Sequence, residues 1–438
     1  MESRAVIRTY LAMAGLYTLS ASLIWGVNTL FLLDAGLDIF EVFIANAAFT
    51  AGMVVFEIPT GVVADTAGRR TSFLLSIVVL VLGTLLYLAL AQTGAGVVQF
   101  SAASIVLGLG FTFYSGAVEA WLVDALDATG YTGALDQVFA RGGQVTGAAM
   151  LIGTVGGGLL GGIDLALPYI ARVGLLVAVF LVALRSMRDI GFQSRSVSVR
   201  TYPSEMHRVL NAGIQYGLRR HSVRLIMIVS FIQTGFLMWA FYAWPPYFLE
   251  LLNRDAVWVA GVVAGLISIA TIVGNTLVAR FTKVCGRRTT MLLAAVVAQG
   301  AAAVGVGLVG SFWPALALLL ISMGAMGVAA PVKQAYLNQV IPSSERATVL
   351  SLDAMTGSAG GVVGQIGLGA VSRARSVAAG YVVGGLISLL ALVPLTMLRR
   401  MREPADSITA PEGAEPGAFA AHGLPELTEV DSVPRRAD

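Results

Sequence analysis

The sequence has few charged residues and almost no side chains suited to metal or redox chemistry. Asp, Glu, Lys and Arg make up only 12% of its 438 residues, about half the share found in a soluble domain. One cysteine, Cys285, and three histidines leave no cluster that could bind zinc, haem or an iron–sulfur centre. We therefore expect no metal site, no cofactor and no disulfide framework.

Lysine is nearly absent, and so is the phosphate-binding loop that requires it. Lys283 and Lys333 are the only two lysines, and neither lies in a GxxxxGK[ST] motif. Every histidine lies in a predicted loop or in the C-terminal tail, which leaves no Ser/His/Asp arrangement. We therefore predict neither ATP-driven transport nor an enzyme.

Hydrophobic residues form 57% of the chain and are grouped in long runs. A helix of about 20 apolar residues spans a bilayer, and twelve such runs occur. They cover residues 10–33, 39–64, 71–91, 97–123, 139–161 and 168–184, then 223–249, 258–281, 289–309, 314–340, 347–371 and 377–398. The sequence predicts an all-α membrane protein with twelve transmembrane helices, in six-helix bundles at residues 1–190 and 223–402.

The distribution of basic residues indicates the orientation, because Lys and Arg concentrate in cytoplasmic loops. With the N-terminus inside, 23 basic residues lie on the cytoplasmic side, and only Arg172, Arg254, Arg373 and Arg375 lie outside. We predict a multi-pass protein of the cell (inner or plasma) membrane with both termini cytoplasmic. Residues 191–222 form a central cytoplasmic loop with an amphipathic helix at 204–220, and the acidic residues 403–438 form a disordered tail.

Two short motifs recur in the second half at nearly the same offset. GRRT at 68–71 returns at 286–289, and EAWL at 119–122 is echoed by QAYL at 334–337. The first loop, GVVADTAGRR at 61–70, follows the second predicted span. Asp65 adds negative charge to a helix C-terminus whose dipole is already negative, so it requires the cations that Arg69 and Arg70 supply.

The spacing of this loop resembles the signature of the major facilitator superfamily: Gly, three residues, Asp, two residues, Gly and two basic residues. The resemblance extends over residues 1–402 and implies a rocker-switch transporter with a central cavity between two six-helix bundles. In the second copy of the loop, Lys283 stands where Asp65 would be. The resemblance implies a cytoplasmic gate, to which we assign Gly61, Asp65, Gly68, Arg69, Arg70, Arg141 and Arg346.

The fifth predicted span carries GTVGGGLLGG at residues 153–162, which is similar to the antiporter motif of the same superfamily. Gly158 replaces the usual proline, and a small-residue packing face explains the motif equally well. Antiporters of this superfamily usually have an arginine in the fourth span. This chain has no basic residue between Arg70 and Arg141, so a proton relay must use other residues.

Ionisable residues inside predicted spans are candidates for function, because charge in a bilayer is costly. Glu57, Glu119 and Asp124 are the candidates for proton coupling; alternatively, Glu57 or Glu119 pairs permanently with Lys333 or Arg141. The candidates for lining a substrate cavity are Asn28, Tyr114, Gln233, Trp239, Tyr242, Lys333 and Gln365.

These features predict a proton-coupled exporter of an amphipathic small molecule. The expected partners are a small-molecule substrate, protons and membrane lipid, and the protein is expected to be a monomer. Nucleic acid is not expected: without residues 403–438 the net charge is +9, but the arginines form short clusters between apolar runs. The alternatives are proton symport that imports a nutrient or metabolite, and a membrane scaffold without transport activity.

Overall fold

The computed structural model describes residues 2–115, 117–192, 219–254, 256–341 and 346–408, most of which are helical. The N half contains α1 (Ser3–Ser22), α2 (Asn28–Asp34), α3 (Ile39–Ala67), α4 (Arg69–Thr93), α5 (Val97–Tyr114), α6 (Ala117–Ala128), α7 (Leu135–Gly161) and α8 (Leu167–Ser186). The C half contains α9 (His221–Leu252), α10 (Val257–Val284), α11 (Arg288–Leu308), α12 (Phe312–Val340), α13 (Arg346–Ala374), α14 (Val377–Leu389) and α15 (Leu392–Arg400), followed by a 3₁₀ turn at Pro404–Asp406.

Ten helical segments in the described part of the chain are long and apolar enough to cross a membrane. Helices satisfy their own backbone polar groups, which lipid cannot do, and the predicted all-α membrane fold is confirmed. The first predicted span differs from the prediction, because a break at residues 23–27 divides it into α1 and α2. The eleventh predicted span is α13, which is rich in glycine and serine and is not one of the ten.

Many large apolar side chains project from the outside of the bundle. Leu82 is 59% exposed, Ile152 is 65% exposed and Trp313 is 75% exposed. Exposure of this extent is unfavourable in water, whereas lipid tails are as apolar as these side chains. The periphery of the bundle therefore suits a bilayer.

The main contacts between the two halves, over the described residues, are those of α3 with α13, α7 with α10, and α2 with α9. Where α7 crosses α10, a Cβ atom on Gly158 would lie 2.5 Å from the Cα of Gly261. Only glycine permits this approach, since any larger residue would push the helices apart. The glycine-rich motif of the fifth span thus serves as a packing face between the halves.

The contacts between the halves lie toward one side of the membrane. We call this side outer, because the basic residues predict it to be extracellular, and the opposite side inner. Asp38 and Arg373 form an ion pair at the outer side (Oδ2–Nη2, 3.4 Å), and Nε2 of Gln365 donates to Oγ1 of Thr50 (3.1 Å) further in. Near the inner end of α3, a Cβ atom on Gly61 would meet nothing within 4 Å. Over the described residues, the halves are joined at the outer side and diverge inward.

Two predicted segments fall at the ends of the described ranges. The predicted amphipathic helix at 204–220 lies almost wholly outside the described residues, as does the tail from residue 409. The prediction that disorder begins after Arg402 is wrong for residues 403–408. Asp406 is only 3% exposed, and its carboxylate accepts hydrogen bonds from N (2.7 Å) and Oγ1 (2.9 Å) of Thr289. The carboxylate of Asp406 thus satisfies an N–H group at the start of α11 that has no partner within the helix, and these bonds hold residues 403–408 in place.

Candidate functional site

The predicted gate residues of the first loop come together at the inner end of α3. Oδ1 of Asp65 lies 2.6 Å from Nη1 of Arg69, and Oδ2 of Asp124 lies 3.8 Å from Nε of the same arginine. The prediction for Asp124 was a role in proton coupling, whereas the structure places it beside Arg69. Gly61 lies one turn before Asp65, at the position where the two halves diverge.

Gly68 makes the turn between α3 and α4, and its backbone explains why glycine is needed. Its φ of 103° and ψ of 150° belong to a region that only glycine adopts easily. A Cβ atom there would also collide with the carboxylate of Asp189, which accepts a hydrogen bond from N of Arg70 (2.9 Å). Nη2 of Arg70 donates to the carbonyl of Leu184 (2.9 Å). Arg70 therefore connects this loop to the end of α8.

The other two predicted gate residues, Arg141 and Arg346, lie apart from this cluster. Both are exposed, and neither forms an ion pair within the ranges that the structure describes. Arg141 lies on α7 in the N half and Arg346 begins α13 in the C half. A role in the gate stays a prediction for both.

A cavity of about 300 Å³ lies among the inner parts of α1, α5, α6 and α7. Its walls are mainly apolar and aromatic, and among the described residues Glu119 supplies the only carboxyl group that lines it. The lining residues are Tyr10, Ala14, Tyr114, Val118, Glu119, Phe139, Gly142, Gly143 and Thr146. The structure therefore places two predicted residues, Tyr114 and Glu119, in one concave site.

Glu57 lies near this site, on α3. Its Oε1 accepts a hydrogen bond from Oγ of Ser115 (3.0 Å), which follows α5 at the break in the fourth span. Glu57 and Glu119 are both exposed, and neither forms an ion pair with a described residue. The alternative in which one of them pairs permanently with Lys333 or Arg141 is therefore wrong for this conformation.

Lys333 forms its ion pair with Asp353, which sequence reasoning missed. Nζ of Lys333 lies 2.9 Å from Oδ2 of Asp353 and donates to Oγ of Ser230 (2.8 Å), which in turn donates to Oδ1 of Asp353 (2.6 Å). Asp353 is 7% exposed. This closed triad joins α9, α12 and α13. The signal was present in the sequence, because Asp353 is a carboxylate inside a predicted span.

Three predicted cavity residues of the C half lie in packed surroundings. Trp239 is fully buried and packs against Phe43 and Tyr381, with ring centroids 5.8 and 5.0 Å away. Nε2 of Gln233 donates to the carbonyl of Ser388 (3.0 Å), within the C half. Gln365 bonds across to the N half, as described above. In this conformation the three side chains contribute to packing and to the contact between the halves.

A polar cluster occupies the outer part of the N half, around the predicted residue Asn28. The hydroxyl of Tyr169 donates to Oδ1 of Asn28 (2.8 Å), and Nδ2 of Asn28 donates to Oδ1 of Asn46 (3.0 Å). Tyr242, another predicted cavity residue, reaches this cluster from the C half and interacts electrostatically with Tyr169. Asn28 and Tyr242 therefore lie at one site between the halves.

Arg172 belongs to the same cluster, which contradicts its placement on the outer surface. It lies inside α8, which begins at Leu167, and it is only 7% exposed. Its guanidinium lies near the phenol groups of Tyr17, Tyr87 and Tyr169. A count of charges in loops could not find it, because burial depends on which face of α8 turns inward.

Comparisons with known proteins agree with this architecture. The family model of the Major Facilitator Superfamily matches residues 10–282 and 256–430. The uncharacterized MFS-type transporter YxaM of Bacillus subtilis (strain 168) is 21% identical over 406 residues, which cover 91% of this chain and 96% of YxaM. The multidrug efflux pump Tap of Mycolicibacterium fortuitum is 26% identical over 377 residues, which cover 82% of this chain and 87% of Tap.

Solved structures share the fold at low sequence identity. The crystal structure of the nucleoside transporter NupG superposes with a TM-score of 0.74 at 13% identity, over 90% of this chain and 99% of NupG. The POT family transporter PepTSo gives a TM-score of 0.68 at 14% identity, over 91% of this chain and 99% of PepTSo. Together with the helical architecture and the family match along most of the sequence, they lead to one conclusion: the chain belongs to the Major Facilitator Superfamily and is a membrane transporter.

Proposed function

We propose that the protein exports an amphipathic small molecule in exchange for protons by alternating access, with the inner cavity of the N half as part of its substrate pathway. The observation that carries this proposal is the cavity around Glu119, whose walls, over the described residues, are apolar and aromatic apart from this carboxyl group and a few small polar groups. Such a site takes a molecule with a large apolar part and few polar groups. The similarity to Tap, a multidrug efflux pump, supports export.

The conformation supports loading from the inner side. The described contacts between the halves lie toward the outer side, and Glu57 and Glu119 are exposed near the inner end. Closure of the inner side would remove these carboxyl groups from water, and burial favours the protonated form of a carboxyl group. Protonation would then be linked to the change of access. One proton that moves through 100 mV supplies about 2.3 kcal/mol.

Proteoliposomes with an imposed pH gradient test the direction and the coupling. Suitable probes are ethidium, an amphipathic cation, and 1-naphthoate, an amphipathic anion. We expect at least one probe to move opposite to the protons. Movement in the same direction as protons would support the importing alternative, and the absence of flux for both probes would contradict transport of amphipathic compounds.

Glu119→Gln tests the residue that carries the coupling. We expect this variant to exchange substrate across the membrane but to lose proton-driven accumulation. Asp127→Asn is the matched control, because Asp127 is an exposed carboxylate on the same helix and does not line the cavity. Normal uphill transport by Glu119→Gln would remove Glu119 from the proton pathway.

We further propose that the protein acts as a monomer in the cell membrane, with both termini in the cytoplasm. Cys285 is the only cysteine and follows α10 in the second copy of the inner loop. A membrane-impermeant maleimide should therefore label inverted vesicles and leave intact cells unlabelled, with Cys285→Ser as the control. Labelling of intact cells would reverse the orientation.

A further inference from the structure

Arg172 is a buried cation that forms no ion pair with any residue that the structure describes. It is only 7% exposed, and its Nε is enclosed and makes no hydrogen bond. The ionisable groups nearest to it are the phenol groups of Tyr17, Tyr87 and Tyr169, and no carboxylate of the described residues is among them. Buried charges in proteins are normally paired, because burial of a single charge is strongly unfavourable. The burial of this positive charge therefore needs an explanation.

The neighbouring hydroxyls are held by other protein groups. Tyr169 donates to Oδ1 of Asn28 (2.8 Å), and the hydroxyl of Tyr87 is hydrogen-bonded to Ser104. Asn28 is held in turn by Oδ1 of Asn46 (3.0 Å). These bonds fix the walls around Arg172, but they supply no negative charge.

The surroundings of Arg172 connect it to the inner cavity. Tyr17 stacks on Tyr114 with ring centroids 3.5 Å apart and planes 6° from parallel. Tyr114 lines the cavity that contains Glu119, and Tyr17 interacts with Arg172. The stacked pair therefore lies between the inner cavity and Arg172.

The site also lies against the C half. Tyr242 of α9 interacts electrostatically with Tyr87 and Tyr169, and its carbonyl accepts a hydrogen bond from Oγ1 of Thr29 (2.7 Å). This contact must separate when the halves open toward the outer side. A ligand at Arg172 would then be released outward.

We propose that Arg172 binds the carboxylate of an amphipathic organic monoanion, whose apolar body packs against the surrounding tyrosine rings. This inference rests on the proposed function and names its substrate class. A guanidinium group is planar and binds a carboxylate through two parallel hydrogen bonds, and one arginine balances one negative charge. Tyrosine rings provide large apolar faces for stacking against an aromatic body.

The test is binding to the purified protein, without a membrane gradient. The probes are 1-naphthoate, its neutral analogue 1-naphthamide, sodium chloride and phosphatidylglycerol. We expect 1-naphthoate to raise the unfolding temperature in a concentration-dependent manner, because a ligand that binds only the folded state stabilises it. The other three probes should give little or no shift.

Two variants locate the binding. Arg172→Met should abolish the shift caused by 1-naphthoate, and Arg172→Lys, which keeps the charge but loses the two parallel donors, should reduce it. Arg375→Met is the matched control, because Arg375 is an exposed arginine at the outer end of α13. Without ligand, Arg172→Met should unfold at the same temperature as the unmodified protein or higher, since it removes an unpaired buried charge.

Several outcomes would overturn the proposal. For the unmodified protein, these are no shift of the unfolding temperature with 1-naphthoate, or an equal shift with chloride or phosphatidylglycerol. For Arg172→Met, they are a 1-naphthoate shift equal to that of the unmodified protein, or a large loss of stability without ligand. The flux assay separates this failure from failure of the proposed function. Transport of ethidium without 1-naphthoate binding refutes only the anion site, and binding without proton-coupled flux refutes only the coupled export.

Discussion

The two halves carry the same loop motif but neutralise its charges differently. In the N half, Asp65 and Asp124 surround Arg69 at the inner end of α3. In the C half, Lys283 stands where Asp65 would be, and Arg288 donates to Oε1 of Gln339 (3.0 Å) and to two backbone carbonyls. Over the described residues, only the N half therefore pairs its basic turn with carboxylates, although both halves have the basic turn. We call the group of Asp65, Asp124 and Arg69 the ionic latch, after its proposed role.

Both halves place a distant carboxylate at the start of the helix that follows this loop. Asp189 accepts from the backbone N of Arg70, and Asp406 accepts from that of Thr289. The two carboxylates differ in environment, because Asp189 is exposed and Asp406 is buried. Both use the positive end of a helix dipole, and the buried one is shielded from water.

The buried charges show the largest contrast. In the C half the buried Asp353 is paired with the half-buried Lys333, whereas in the N half the buried Arg172 has no carboxylate partner among the described residues. A satisfied pair stabilises a packed structure against change, while an unpaired charge can bind a ligand. The comparison therefore assigns a structural role to the pair and a binding role to Arg172.

Breaking the ion pair between Lys333 and Asp353 should lower the free energy of unfolding more than any other change considered below. Lys333→Met leaves Asp353 buried without a counterion and should lower the free energy of unfolding by about 3–5 kcal/mol. The double variant Lys333→Met with Asp353→Leu should recover most of this loss. Unfolding in detergent measures both, and Arg373→Met, which breaks the exposed pair with Asp38, should cost less than about 1 kcal/mol. A Lys333→Met variant as stable as Arg373→Met would disprove the contrast.

The next largest effect on the free energy of unfolding is expected from the glycines of the two loops, Gly68 and Gly286. Gly68→Ala forces a side chain into a backbone region reserved for glycine and against Asp189, and we expect a loss of about 1–3 kcal/mol. Gly286→Ala changes the equivalent position, where an added Cβ would meet nothing within 4 Å. It should be close to neutral in the same unfolding measurement. Equal losses would show that the two turns have the same requirement.

The two capping carboxylates, Asp406 and Asp189, should give a smaller difference in the free energy of unfolding when each is removed. Asp406→Ala removes both bonds to Thr289 and should lower the free energy of unfolding by about 1 kcal/mol, in the usual range for helix caps. Asp189→Ala should cost less, because water can replace an exposed carboxylate. Thermal unfolding of the two variants side by side measures the difference. A larger loss for Asp189→Ala would indicate that exposure does not decide the contribution of the cap.

A substitution in the ionic latch should change the free energy of unfolding least, and its main effect should be on transport. Asp65→Asn should change the free energy of unfolding by less than about 0.5 kcal/mol, as for most surface substitutions, but should slow the transport cycle. Equilibrium binding of substrate should stay nearly intact. Lys283→Gln is the matched variant in the C half and should leave transport unchanged. A large loss of affinity in Asp65→Asn would contradict the assignment of a latch.

The contacts that sequence predicted are those between residues near each other in the chain. Asp65 and Arg69 are four positions apart, on either side of the turn at Gly68, so their pairing followed from spacing. The partners that sequence missed are remote: Asp189 is 119 positions from Arg70, and Asp406 is 117 from Thr289. Asp353 could have been listed as a charge within a span, but its partner could not have been identified.

The sequence by itself determined that the chain crosses the membrane as helices in two repeated halves, with a charged turn at the inner side of each. Hydropathy and motif spacing are local properties, and a bilayer responds to them directly. Only the tertiary structure decided which charges are neutralised, which one is left unpaired and where the halves meet. These outcomes depend on the rotation of each helix about its axis, and that rotation is set by the neighbouring helices against which it packs.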